Sequence, residues 1–293
     1  MEKEIREFTE YLEAVKRLSH NTVMSYRGDL LKMAACLEGQ GIDSVSDVGA
    51  TMLGSYVLDM EKAGMSAATI SRYVASIKAF FEYLLREHAI TEDPAFFLKP
   101  PKVEKHAPEI LTEQEMECLL AQPSSNRPKE LRDRAMLELL YATGMRVSEL
   151  ITLRVEDVSL RFGWLICRDA EKERMIPFGE TAAKAIQDYL TMARDTFLKN
   201  GSQTILFLNC SGTPMSRQGF WKLLKGYAAK AGIDKDITPR MFRHSCAAHM
   251  AARGAGLPVI QEMLGHTDIA ATQIYAGFQT GMKTEYSKTH PRA

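Results

Sequence analysis

Four prolines close together divide this sequence into two parts. They exclude a continuous helix and a central strand across the segment that holds them, and they are Pro94, Pro100, Pro101 and Pro108. The lysines between these prolines favour an extended, cationic linker over residues 89–110. The 293 residues are enough for a separate core on each side of this linker. We therefore predict one domain over residues 1–88 and a second over residues 111–293.

Residues 1–88 carry apolar side chains at helical spacing throughout, which predicts an all-helical domain. Breaks and capping residues near Ser19 and Ser66 indicate four helices in this stretch. Basic side chains lie between the apolar stripes, among them Arg72, Lys78 and Arg86. They could contact phosphates or form an ordinary solvated surface, and the sequence leaves these two interpretations open.

The second domain is predicted to be mostly helical with a small β-sheet. Thr112 and Glu115 form a capping box, and Gly144 is placed to end a long helix that begins near Lys129. Residues 160–166 and 175–178 flank a polar turn and indicate a β-hairpin. A short strand is predicted at 204–208, and further helices follow at 180–198, 216–231, from Thr238, at 257–264 and at 269–278. The predicted fold class is mainly α.

Composition excludes several classes of function. No run of about 18 apolar residues occurs, so no membrane span is expected, and the N-terminus lacks a secretory signal. Five scattered cysteines predict reduced thiols in a cytoplasmic protein, and no metal-ligand spacing is present. With 37 Lys and Arg against 37 Asp and Glu, the formal net charge is zero, so charge alone does not decide whether nucleic acid is a partner.

Four side chains in the second domain suit chemistry on a phosphodiester: Arg146, Arg243, His266 and Tyr275. Two guanidinium groups can match the charged phosphate oxygens and stabilise a pentacoordinate transition state without a metal. Tyr275 can act as a nucleophile that stays attached and is later displaced. Because a phenol has a pKa of about 10, we expect Arg243 and His266 to favour its phenolate. Taken singly, each of these residues is more often an ordinary surface or packing residue.

The ordered set of motifs is more specific than its members. Residues 141–150 contain Gly-x-Arg-x-Ser-Glu-Leu, residues 238–245 end in Arg-His-Ser, and residues 264–275 run from Leu-Gly-His to a tyrosine nine residues after that histidine. This order resembles the tyrosine recombinase, or phage integrase, family and is close to its bacterial Xer-type branch. The resemblance extends over nearly the whole chain.

The resemblance implies a SAM-like helical core-binding domain and a mostly α catalytic domain that close as a clamp on duplex DNA. It implies that Tyr275 attacks the scissile phosphate, forms a 3′-phosphotyrosyl link and releases a 5′-hydroxyl. Arg146 and Arg243 would bind the phosphate, and His266 would hydrogen-bond it or assist Tyr275. A homo- or hetero-tetramer on DNA, joined through the C-terminal segment, is expected, with no metal or nucleotide cofactor.

Two positions depart from the family pattern. Arg240 stands where His or Lys is usual, three residues before Arg243, and an arginine does not readily shuttle protons at neutral pH. The family lysine that protonates the leaving 5′-oxygen has no aligned equivalent in the hairpin turn. Lys172 is the nearest substitute for this general acid, and Arg174 is interpreted as a structural residue.

These departures leave two questions open. Within the recombinase class, the protein would resolve replicon dimers or move an integrative element, and the departures favour the second role modestly. The alternative from a different class is a catalytically decayed, sequence-specific DNA-binding protein.

Overall fold

A computed structural model describes most of the chain, namely residues 1–102, 108–168, 173–199, 203–266, 268 and 270–276. The chain divides into two compact units, residues 1–106 and 107–293. Within the predicted linker, Ile90 and Ala95 are buried in the core of the first unit. The domain boundaries at 88 and 111 stay a prediction. Across the described ranges, no helix combines the length and apolar character needed to cross a membrane.

The described part of the first unit is helical, as predicted. Ser19 and Ser66 cap its second and fourth helices by accepting hydrogen bonds from the backbone N–H groups of Thr22 and Thr69. Apolar side chains from all the helices of the unit pack into its core. The helices are α1 (Glu2–Ala14), α2 (His20–Glu38), α3 (Ala50–Lys62) and α4 (Ala67–Arg86).

The basic residues of α4 have partners inside the first unit. Arg72 Nη1 donates to both carboxylate oxygens of the buried Asp29, at 2.7 and 2.6 Å. Lys78 donates to two backbone carbonyls, and the guanidinium of Arg86 lies over the ring of Tyr11. These contacts favour a structural role for the three cations.

The second unit surrounds one large apolar core with helices and a small sheet. Its strands form an antiparallel sheet in the order β1-β2-β3, and Leu165 pairs with Ile176 in the predicted hairpin, which is confirmed. The strands are β1 (Val158–Ser159), β2 (Trp164–Arg168) and β3 (Glu173–Pro177). The helices are α5 (Glu113–Leu120), α6 (Pro128–Thr143), α7 (Val147–Thr152), α8 (Glu180–Met192), α9 (Arg194–Phe197), α10 (Arg217–Lys230), α11 (Pro239–Ala252), α12 (Leu257–Leu264) and α13 (Ala270–Gln273).

The predicted strand at 204–208 is wrong, because this segment forms only isolated β-bridges. Backbone groups of residues 153, 155 and 215 bond part of this segment, and side chains bond several of its carbonyls. Arg194 donates to the backbone carbonyls of residues 203, 205 and 206, and the Tyr189 hydroxyl also donates to the carbonyl of residue 206. The backbone is thereby satisfied without a ladder, while the apolar side chains of the segment stay buried.

Candidate active site

A glycine at the end of α6 allows the first arginine segment to approach the last helices. Gly144 ends α6 in the left-handed conformation, at φ +58°. A Cβ there would lie 2.7 Å from Leu264 Cδ2 and 3.2 Å from Cys246 Sγ, so only glycine fits. Arg146, two residues later, is the N-cap of α7.

Backbone carbonyls at the ends of α6 and α12 hold the guanidinium groups of Arg146 and Arg243. Arg243, on α11, donates from Nη1 to the carbonyl of Gly144 at 2.8 Å and from Nη2 to the carbonyl of Leu264 at 2.5 Å. Arg146 donates from Nη2 to the carbonyl of Gly265 at 3.4 Å. The two guanidinium groups therefore lie together beside the end of α12.

A buried carboxylate positions one of these arginines. Glu149 Oε2 accepts from the backbone N–H of Arg146 at 2.6 Å, and Oε1 accepts from Arg146 Nη1 at 3.2 Å. Arg174, on β3, donates to both oxygens at 2.7 and 2.9 Å and also to the carbonyl of Met263. Burial works to raise the pKa of Glu149, but the hydrogen bonds and charges of the two arginines outweigh it and lower the pKa. Arg174 thus has the structural contacts expected of it.

Tyr275 is buried, and its hydroxyl lies against the residue that follows Arg243. The side chain is 0% exposed and packs on apolar residues of α11 and α12. Its Oη is 2.5 Å from Nδ1 of His244, and Nε2 of His244 accepts a hydrogen bond from Nε of Arg240 at 3.1 Å. Arg240 therefore contacts the tyrosine through His244.

His266 follows the glycine that ends α12 and lies close to the two arginines. Its Nδ1 is 2.8 Å from the Thr272 hydroxyl, and its backbone N–H donates to the carbonyl of Gln261. Burial, and then the charges of Arg243 and Arg146, lower the pKa of His266 to about 4, so it is neutral at neutral pH.

The electrostatics of this cluster differ from the expectation in one respect. Burial raises the pKa of Tyr275 to about 12, although the Arg243 charge opposes this rise. The expectation that Arg243 and His266 favour the phenolate is therefore not met in the free protein, because loss of solvent outweighs the nearby charge. Burial and the like charge of Arg146 lower the pKa of Arg243 to about 10, which leaves it protonated. Two cations that repel each other favour an anionic ligand between or beside them.

The structure thus brings together Arg146, Arg240, Arg243, His266 and Tyr275. Lys172 lies outside the described residues. No group of three or more His, Cys, Asp or Glu that could hold a metal ion occurs in the part of the chain that the structure describes. The expectation that no cofactor is needed stays a prediction.

Sequence reasoning gave no role to two side chains of the site, Glu149 and His244. Glu149 had a readable signal, since a glutamate three residues after a helix N-cap often reaches back to the cap N–H. Arg240 and His244 are four apart on one helix and therefore share a face. The contact of His244 with Tyr275 joins residues 31 apart and had no local signal.

Comparison with known protein families identifies the family of this chain. The sequence model of the Phage integrase family matches residues 109–280, and that of the phage integrase N-terminal SAM-like domain matches residues 5–88. The chain belongs to the phage integrase family. The recognition of that family from the motifs, and the fold class predicted with it, are confirmed.

Members of the phage integrase family resemble this chain over its full length. Tyrosine recombinase XerD of Staphylococcus haemolyticus (strain JCSC1435) is 39% identical over 295 residues, covering 100% of both chains. Tyrosine recombinase XerD of Halalkalibacterium halodurans is 41% identical over 292 residues, covering 99% of this chain and 98% of the relative. Among solved structures, the XerH site-specific recombinase in a post-cleavage complex with a palindromic difH substrate has the same fold. It matches with a TM-score of 0.77 at 18% identity, over 99% of this chain and 84% of that one.

Proposed function

We propose that this protein is a site-specific recombinase that cuts and rejoins duplex DNA through a 3′-phosphotyrosyl intermediate on Tyr275. The observation that carries the proposal is that Arg146 and Arg243 both bond backbone carbonyls at the end of α12, which precedes Tyr275 in the sequence. Two guanidinium groups held there by backbone carbonyls form a preorganised site for one phosphodiester. The full-length relatives named tyrosine recombinase support the same reaction.

In the proposed reaction the Tyr275 Oη attacks phosphorus, and the bond between phosphorus and the 5′-oxygen breaks. Arg146 and Arg243 bind the non-bridging oxygens as negative charge increases on them. His266, which is neutral at neutral pH in the free protein, is positioned to hydrogen-bond the phosphate. The attack of a second 5′-hydroxyl on the phosphotyrosine reverses these events and rejoins the strand.

Lys172 is our candidate for the general acid that protonates the leaving 5′-oxygen. Arg174, two residues later in sequence, bonds Glu149 in the arginine cluster, which supports this choice. Lys172→Ala should lower cleavage of an ordinary site and be rescued by a 5′-bridging sulfur, because a thiolate leaves without a proton. If Lys172→Ala cleaves the sulfur substrate as slowly as it cleaves the ordinary site, Lys172 is excluded as the general acid.

The experiment that tests the reaction traps the covalent intermediate. A nicked site lets the fragment bearing the 5′-hydroxyl diffuse away, so that the protein–DNA adduct accumulates. Tyr275→Phe should abolish the adduct and keep DNA binding, whereas Tyr286→Phe, a change of the same kind at another C-terminal tyrosine, should keep both. DNA binding without an adduct from the native protein would instead support the decayed DNA-binding alternative.

The proposal extends to the assembly and its setting. Four protomers, of this chain alone or with a partner recombinase, would exchange strands in pairs on DNA through the C-terminal segment, in the cytoplasm. All five cysteines are free thiols, which supports a reducing compartment. A bound site at the junction of replicated chromosomes would identify dimer resolution, and one at the ends of an element would identify integration. Mapping the sites bound in the source genome separates these roles.

A further inference from the structure

A chain of two hydrogen bonds leads from the surface to the nucleophile. Nε of the exposed Arg240 donates to Nε2 of His244 at 3.1 Å. Nδ1 of the same imidazole lies 2.5 Å from Oη of the fully buried Tyr275. Arg240 and His244 share a face of α11, so the helix itself sets the first bond.

The direction of the first bond decides the direction of the second. The Nε of an arginine always carries a hydrogen, so Nε2 of His244 has to accept it. A neutral imidazole has one donor and one acceptor nitrogen, and therefore Nδ1 carries the hydrogen. We propose that Arg240 fixes His244 in this Nδ1–H tautomer, and that His244 donates a hydrogen bond to the nucleophilic oxygen of Tyr275.

Two features of the site support this arrangement. Burial, and then the charges of Arg240 and Arg243, lower the pKa of His244 to about 4, so the imidazole is neutral at neutral pH. A histidine at position 240 could donate to His244 or accept from it, whereas the arginine present in this chain can only donate. The residue at 240 therefore selects one tautomer of its neighbour.

The consequence for the reaction, which rests on the proposed function, is that His244 does not act as the base. Its Nδ1 already carries a hydrogen and cannot take the phenol proton. As the bond between Oη and phosphorus forms and that to the 5′-oxygen breaks, the phenol proton passes to a non-bridging phosphate oxygen and on to solvent. The leaving 5′-oxygen takes its proton from the general acid. In rejoining, the Nδ1–H stabilises the departing phenolate.

The tautomer can be measured in the free protein without any DNA. Long-range ¹H–¹⁵N correlation spectra distinguish protonated from bare imidazole nitrogens, and the His244 signals among the seven histidines are those missing from the His244→Asn protein. We expect protonated Nδ1 and bare Nε2 in the native protein, and a shift towards the Nε2–H tautomer in Arg240→Met. Arg253→Met, a control at the end of the same helix whose arginine pairs with Glu113, should leave the signals unchanged. An Nε2–H tautomer in the native protein would overturn the proposal, as would an unchanged tautomer in Arg240→Met.

Single-turnover cleavage of the nicked site tests the donor role. His244→Ala should slow adduct formation roughly 10- to 100-fold, the effect of losing a hydrogen bond to a charged oxygen. His244→Asn places an amide N–H near the position of Nδ1 but has no basic nitrogen, so it should restore most of the rate that alanine removes. Asparagine as slow as alanine, in proteins with native unfolding midpoints, would refute donation. If the native protein forms no adduct, the proposed function fails, while the tautomer measurement still decides the Arg240–His244 bond.

Discussion

Replacement of Glu149 by glutamine tests whether a buried carboxylate holds the arginine cluster together. Glu149 is 5% exposed and accepts four hydrogen bonds, two on each oxygen, from Arg146 and Arg174. Glutamine has nearly the same volume but replaces one oxygen with an NH₂ group. Whichever way the amide lies, its NH₂ group faces two N–H donors, and the partly buried Arg174 loses the carboxylate charge that it pairs with here.

Removal of one partner from a buried ion pair costs about 3–5 kcal/mol. We expect a value near the lower end, about 3 kcal/mol, because the Arg146 side chain is 41% exposed and can be solvated. Cleavage should also fall, by roughly 100-fold, because Arg146 loses the contacts that aim it at the phosphate. Glu156→Gln is the matched control. Glu156 pairs with Arg154 but is 62% exposed, so its loss should cost less than about 1 kcal/mol.

Urea unfolding followed by tryptophan fluorescence is the assay. Both tryptophans, Trp164 and Trp221, lie in the second unit, so their emission reports on the unit that holds the site. If Glu149→Gln and Glu156→Gln lower the unfolding free energy equally, the reasoning is refuted, because the buried carboxylate would then contribute no more than an exposed one.

The difference in unfolding free energy between the native protein and Glu149→Gln should depend on pH, and the sign of this dependence follows from the pKa of Glu149. The pKa of Glu149 in the folded protein lies below its ordinary value of 4.5. Its stabilisation is therefore fully present above about pH 4.5 and is lost as the pH falls through the lower, folded value. The gap in unfolding free energy between the native protein and Glu149→Gln should accordingly narrow below pH 4.5. A gap that stays constant to pH 3 would contradict the charge-based account.

Two further substitutions test the surroundings of the site by the same unfolding assay. Gly144→Ala should lower the unfolding free energy by at least about 1–2 kcal/mol, because the new Cβ meets Leu264 at 2.7 Å in a left-handed conformation; an unchanged midpoint would contradict this packing. Tyr141→Phe should cost about 1–3 kcal/mol, since His249 Nε2 donates to a carbonyl and its buried Nδ1 accepts from the Tyr141 hydroxyl. A neutral effect would mean that solvent satisfies that nitrogen.

The elements of the fold that follow from local signals are predicted well from the sequence. The capping box at Thr112, the Thr238-Pro239 start of α11 and the left-handed glycine at 144 each set a helix boundary, and each is present. The strand prediction at 204–208 failed because only isolated bridges form there, and side chains of α8 and α9 bond several of its carbonyls. No local pattern indicates that a carbonyl will be bonded by an arginine.

In the candidate site, too, some features follow from the sequence and others do not. The order of motifs was sufficient to select Arg146, Arg243, His266 and Tyr275, which the fold then brings together. It did not reveal that Tyr275, the proposed nucleophile, is buried against His244 with a raised pKa. That state depends on how much solvent the packing of α11, α12 and α13 excludes, a property of the assembled unit rather than of any one segment.

The most direct test of the central claim is the chemical location of the trapped DNA. The adduct formed on a nicked site would be digested with nuclease and protease, and the modified peptide sequenced by mass spectrometry. The account predicts a nucleotide joined through its 3′-phosphate to Tyr275 and to no other of the ten tyrosines. A nucleotide attached to any other residue, or an adduct that survives Tyr275→Phe, would contradict it.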